Sequence, residues 1–227
     1  MTDWAEIARE KQARYEISHG ELDERAVVRL GNAAYAAGLA LLMDGSPAAS
    51  EWLLRAAQRW RASWDLGAGI DAWGRPAGAV KAALLAGDDA IVDELAGWTL
   101  ALGAADSPSP IGRYAAMLAL LASRRDGEAA KLADTLRERD DFPRDVGDAL
   151  SAIAVRDERG ASLAVDSVVR SFEERQDYLE DVAVADTALV LGELARRHGL
   201  ACELPASPVL PLASRSRPAR SQGGTRS

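Results

Sequence analysis

Three side chains have the chemistry to hold a transition metal: His19, His198 and Cys202. A zinc or iron site needs three or four ligands converging on one point. Only His198 and Cys202 are close in sequence, and Gly199 between them ends a helix, so the pair reads as a helix-ending histidine and a small packed thiol. General acid–base chemistry needs two carboxylates held in different environments around one cleft. Asp88-Asp89 and Asp140-Asp141 are adjacent pairs, but they stand where helices start or stop, where capping and the helix dipole favour acids. The chain has no HExxH helix, no Walker phosphate loop and no GxSxG elbow. Gly67-Ala68-Gly69 and Gly74 lack the preceding strand and the spacing of a dinucleotide fingerprint and read as a loop. The expectation is therefore no catalytic residue, no metal and no cofactor.

Two other groups carry binding chemistry. Trp52, Trp60 and Trp64 lie eight and four residues apart, near one face of a helix, and Trp73 follows in Asp71-Ala72-Trp73-Gly74-Arg75-Pro76. Tryptophan and arginine dominate interface hot spots. Trp60, Trp64, Trp73 and Arg75 are thus either an exposed partner-binding face or large rings filling a core otherwise built of alanine; as a third use, they line a ligand pocket. The second group is the acid-rich run Glu173-Glu174-Arg175-Gln176-Asp177-Tyr178-Leu179-Glu180-Asp181. Glu173, Asp177, Glu180 and Asp181 suit a cationic partner, against the plainer reading of a solvated inter-helix loop.

The elements that must position these residues are helices. Apolar residues recur at three and four, and 46 alanines favour helix throughout. Asp3 is placed to cap a first helix that ends at His19-Gly20, and a second runs from about Leu22 to Met43, where Gly31 and Gly38 mark close approach of a neighbour. Ser46-Pro47, Arg75-Pro76 and Ser109-Pro110 read as helix starts. Helices are expected over 47–64, 76–86, 88–102, 111–124, 127–139, 143–156, 161–175 and 182–198. Leu42, Leu85, Leu121 and Ala154 each sit at the end of an apolar helix before a polar turn, a faint repeat of drifting period. The expected fold is all-α: an irregular, α-solenoid-like stack of antiparallel helical hairpins over residues 1–198, with a compact helical bundle as the alternative. Residues 199–212, with three prolines in Leu204–Pro211, should form an extended strap along the helices. Residues 213–227 are rich in Arg and Ser and are expected to be disordered.

The net charge of -8 hides an asymmetry, because all 35 acids fall before residue 213 whereas four of the 27 basic residues follow it. The helical body is acidic, which disfavours nucleic acid and membrane surfaces and favours a basic protein partner. The single cysteine permits no intrachain disulfide, and the amino terminus shows no signal peptide, so a cytoplasmic location is expected.

Trp73-Gly74-Arg75-Pro76 with Leu84-Leu85-Ala86-Gly87-Asp88-Asp89, and Ala195-Arg196-Arg197-His198-Gly199-Leu200 with Ser207-Pro208-Val209-Leu210-Pro211, resemble the immunity 49 family of helical antitoxins. The hairpin over 113–139 also looks like a degenerate tetratricopeptide repeat. The first resemblance implies a cytoplasmic protein that binds and blocks a toxin, with no catalytic residues. The expected function is thus a non-catalytic, protein-binding helical scaffold of the immunity type. The alternative is an enzyme or small-ligand-binding bundle with a tryptophan-lined pocket.

Overall fold

The computed structural model describes residues 2–17, 22–69 and 71–212; the expected helix end at His19-Gly20 and the basic tail lie outside them. Among the described residues there are ten α-helices and no strand. They are α1 (Trp4–Glu16), α2 (Glu24–Asp44), α3 (Ala49–Asp65), α4 (Gly74–Ala86), α5 (Asp89–Ala101), α6 (Pro110–Ala122), α7 (Asp126–Arg137), α8 (Arg144–Ala154), α9 (Glu158–Glu173) and α10 (Asp186–Arg197). Single 3-10 turns lie at Ala104–Asp106 and Leu179–Asp181.

Side-chain caps start four of these helices. Asp3, Asp23, Asp88 and Asp157 each accept a hydrogen bond from the backbone N–H three residues on, satisfying one of the donors a helix start leaves open. Gly45 and Gly87 end α2 and α4 in the left-handed conformation that glycine adopts without a Cβ clash. Several starts differ from the sequence expectation, among them α9, which begins at Glu158 behind its Asp157 cap rather than at Ala161. Pro47 lies in a turn and α3 begins at Ala49; α4 begins at Gly74, with Pro76 inside its first turn, where no intrahelical N–H is needed. Residues 182–185 are non-helical and α10 begins only at Asp186, because the Ala185 N–H donates across to the Val209 carbonyl (2.9 Å) in the strap.

Each helix packs on its neighbours in sequence, and α4, α6 and α8 also touch in a row. The four positions of the faint repeat, Leu42, Leu85, Leu121 and Ala154, fall in the last turns of α2, α4, α6 and α8, so the repeat tracks the even-numbered helices. An open solenoid gives each unit only near neighbours. Here α10 returns to pack on α4, α6, α8 and α9, closing the stack of hairpins into a bundle. The strap completes the closure: Val209 and Leu210 are buried, Leu204 lies over Gly192 of α10, and Ser207 Oγ donates to Glu173 Oε1 (2.6 Å).

Small residues set the helix spacing. From Ala33 to Leu41 every residue of α2 is buried. A Cβ on Gly38 would stand 2.7 Å from Leu53 Cγ of α3, so this pair of helices meets at a distance only glycine permits. By length and composition α2 could cross a bilayer, yet 67% of its apolar window lies inside the fold, against α1 and α3.

Candidate functional site: a cavity at the centre of the stack

Alanine-rich helices leave space where five of them, α2, α3, α4, α6 and α10, converge, and large rings and two opposite charges border it. Trp60 of α3 is buried between α2 and α4. A Cβ on Gly31 would lie 2.7 Å from its Cδ1 and one on Gly78 2.8 Å from its Cζ3, so the indole is held between two glycines. Its Nε1–H donates to Asn32 Oδ1 (3.1 Å), and its ring meets that of Tyr35 at 5.1 Å. Beside this sandwich opens a cavity of about 450 Å³, lined by Trp60 and Tyr35, by Asn32, Arg75, Lys81, Tyr114 and Asp186, and by apolar residues including Val28, Ile111 and Leu179. Volumes of this order are typical of small-ligand sites. Ile111 and Leu179 are 40% and 47% exposed and stand at its mouth. A smaller cavity of about 180 Å³ lies on the other side of Leu179, Lys81 and Asp186 and includes Asp177 and Arg175 in its wall.

The floor shared by both cavities is an ion pair. Lys81 Nζ donates to Asp186 Oδ2 (2.6 Å) and to Thr187 Oγ1 (3.1 Å), and Tyr35 Oη donates to the same Asp186 oxygen (2.8 Å). The side chains of Lys81 and Asp186 are 13% and 16% exposed. Burial alone would raise the Asp186 carboxyl, but the Lys81 charge and the hydrogen bonds from Lys81 and Tyr35 outweigh it and hold the group below its ordinary value. Burial likewise pulls Lys81 down, and the attraction of Asp186 more than offsets it, leaving the ammonium raised. Both groups are therefore charged across the neutral range. The pair joins α4 to the start of α10, and Tyr35 adds α2.

Tyr114 of α6 completes the floor. Its hydroxyl is buried and meets no partner in hydrogen-bonding geometry among the described residues; the Thr187 hydroxyl acts on its ionisation without meeting that geometry. Burial raises its pKa, so it stays a neutral O–H donor. At the rim, Arg75 pairs with Glu24 and donates from Nη1 to the Ser63 carbonyl (3.2 Å). Burial lowers the Arg75 pKa.

Of the tryptophan group, only Trp60 and Arg75 line the cavity. Trp60 and Trp73 are 5% and 8% exposed, which excludes an exposed aromatic face built on them. Trp64 is half-buried and belongs with Trp73 (5.3 Å between rings) and Trp98 (6.2 Å) in a separate cluster around Ala104 and Ala116. The acid-rich run is likewise divided. Glu173 binds Ser207, Glu180 binds Arg14 of α1 (2.7 Å), Asp177 faces the smaller cavity and Asp181 is exposed. The spacing did not mark Lys81, Asp186, Tyr35, Asn32 or Tyr114.

His198 and Cys202 do not form a metal site. His198 is buried with Nδ1 2.8 Å from the Leu194 carbonyl and Nε2 2.9 Å from Asp126 Oδ1, so it pins α10 to α7. Asp126 also accepts from Arg156 (3.0 Å). Its partial burial pushes the pKa up, but the Arg156 and His198 hydrogen bonds prevail and lower it. Burial raises the Cys202 thiol, the opposite of an activated cysteine. No group of three or more His, Cys, Asp or Glu side chains arranged for a metal occurs among the described residues. Of the two acid pairs, Asp88 caps α5, Asp89 pairs with Arg197, and Asp141 is bound bidentately by Arg139 at 2.7 Å.

No protein-family model matches the chain, and neither a curated protein nor a solved structure matches it.

Proposed function

We propose that this chain is a non-catalytic helical scaffold that binds a basic protein partner, in the manner of an immunity protein that neutralises a toxin. The observation that carries the reading is the segment joining α9 to α10. It presents Glu174, Asp177 and Asp181 to solvent around the exposed Leu179, and it is tied to the fold at several points. The Tyr178 hydroxyl donates to the Phe172 carbonyl, Glu180 is held by Arg14, and Ala185 is hydrogen-bonded to the strap. Glu180 and Asp181 are both left-handed (φ 54° and 59°), a conformation costing non-glycine residues roughly 1 kcal/mol or more each and kept only where the surroundings impose it. An acidic surface held in one shape loses little conformational entropy on binding, and charge complementarity speeds capture. The acidic balance of the body and the resemblance of two segments to the immunity 49 family point the same way.

The test is affinity purification of the tagged protein from its host lysate at native salt, alongside an Asp177→Lys/Asp181→Lys variant. The expected result is a basic protein retained by the first and lost or slowed by the second, with an association rate that falls steeply as salt rises. A partner captured equally by both variants refutes the assignment of this loop; capture of no partner refutes the scaffold reading.

A further inference from the structure

The cavity between α2, α4 and α6 has a chemistry that the acidic loop does not explain. Its polar lining is rich in unused donors. Tyr114 Oη–H is buried and meets no acceptor in hydrogen-bonding geometry among the described residues, the Asn32 amide NH₂ is likewise unpaired among them once Oδ1 has accepted from Trp60, and the Lys81 ammonium and Arg75 guanidinium each have N–H groups beyond those used. The one acid in the lining, Asp186, already accepts from Lys81 and Tyr35. A buried hydroxyl without an acceptor costs on the order of 1–3 kcal/mol of stability. Tyr114 belongs to the cavity wall, so a ligand atom able to accept there would offset that cost. The walls above the donors are apolar and aromatic.

We propose that this cavity is a binding site for a small amphipathic carboxylate, seated with its oxygens toward Tyr114, Asn32 and Lys81 and its apolar body against Trp60, Val28 and Ile111. Tyr114 is the residue that calls for an acceptor, because its hydroxyl meets none in hydrogen-bonding geometry among the described residues. Trp60 forms the wall and reports on occupancy, since its indole borders the cavity.

Isothermal titration of the full chain with 2-naphthoate, 3-phenylpropionate and octanoate, each to about 1 mM, tests the site. At least one should bind at a single saturable site, and the cation 2-naphthylmethylammonium should bind about ten-fold more weakly or not at all, since the free polar atoms are donors. Tyr114→Phe should weaken the carboxylate about ten-fold, the loss of one hydrogen bond to a charged acceptor, without lowering the melting temperature. Ile111→Trp, at the mouth and away from the donors, should block entry and leave the fold intact. Failure of all three carboxylates to saturate overturns the proposal. So does equal or tighter binding of the cation, or carboxylate binding unchanged by both substitutions.

Discussion

Replacing Gly31 by alanine tests the packing that shapes the cavity, because the same substitution at Gly97 should have the opposite sign. In a helix interior, alanine is more favourable than glycine by about 1 kcal/mol. Gly97, in α5, has no atom within 4 Å of where its Cβ would stand, so Gly97→Ala should stabilise by about that amount. At Gly31 the new methyl would lie 2.7 Å from Trp60 Cδ1 and 2.8 Å from Nε1, and the ring has little room to retreat because Gly78 backs it on the other side so closely that a Cβ there would stand 2.8 Å from Cζ3. Overpacking of this kind costs about 1–3 kcal/mol, and displacing the indole from Asn32 removes a hydrogen bond of about 1 kcal/mol. After the helix gain is set against these costs, Gly31→Ala should destabilise by about 1–3 kcal/mol. The assay is urea unfolding of wild type and both variants, with stability compared at a common slope. A smaller ring relieves the clash, so Trp60→Phe should reduce the cost of Gly31→Ala, with a coupling of about 1 kcal/mol in the double-mutant cycle. A Gly31→Ala protein as stable as Gly97→Ala, or a cycle without coupling, refutes the glycine–tryptophan–glycine sandwich.

Asp186→Asn leaves the largely buried Lys81 without its counter-charge and should cost about 3 kcal/mol, whereas Lys81→Met/Asp186→Asn should recover much of the loss, since Asn keeps an acceptor for Tyr35; equal melts for the two variants would disprove the pair. The depressed carboxyls of Asp186 and Asp126 contribute stability above the ordinary carboxylate range that disappears as pH falls through their folded values, and the raised Lys81 contributes stability that disappears as pH rises through its own. The urea midpoint should therefore form a plateau from about pH 5 to 10 with both arms shallower in the double variant; identical pH profiles would contradict it. Tyr114→Phe should unfold at the same or a slightly higher urea concentration, because it removes a buried hydroxyl that lacks a partner; a loss above about 1 kcal/mol would mean the hydroxyl is bonded in solution.

The all-helical fold, the glycine contacts of α2 and the capping at Asp3 are legible in the sequence, because each rests on local periodicity or on one residue's backbone chemistry. The start of α10 is not. Val182-Ala183-Val184-Ala185 has the composition to extend the helix, and only the strap 24 residues on from Ala185, by its hydrogen bond at Val209, draws it out of helical form. The candidate site is less legible again. The tryptophan spacing grouped Trp60, Trp64, Trp73 and Arg75; Trp60 and Arg75 line the cavity, while Trp64 and Trp73 pack in a different cluster. A usable signal was present: Lys81 is the lone charge in Ala77–Ala86, and Asp186 the lone charge in Val182–Leu191. Isolated opposite charges in two apolar helical runs must either find each other or stay hydrated. Which of those occurs is settled by how α10 folds back, and local sequence does not specify that.

That return of α10 has a temporal consequence. Tyr35 and Lys81 lie 151 and 105 residues ahead of Asp186, so a chain emerging from the ribosome forms its early hairpins from near neighbours while the floor of the cavity still lacks its carboxylate. Until α10 docks, Lys81 faces an open centre that water must fill. The cavity therefore gains its full set of polar groups only when α10 has docked on the hairpins that precede it.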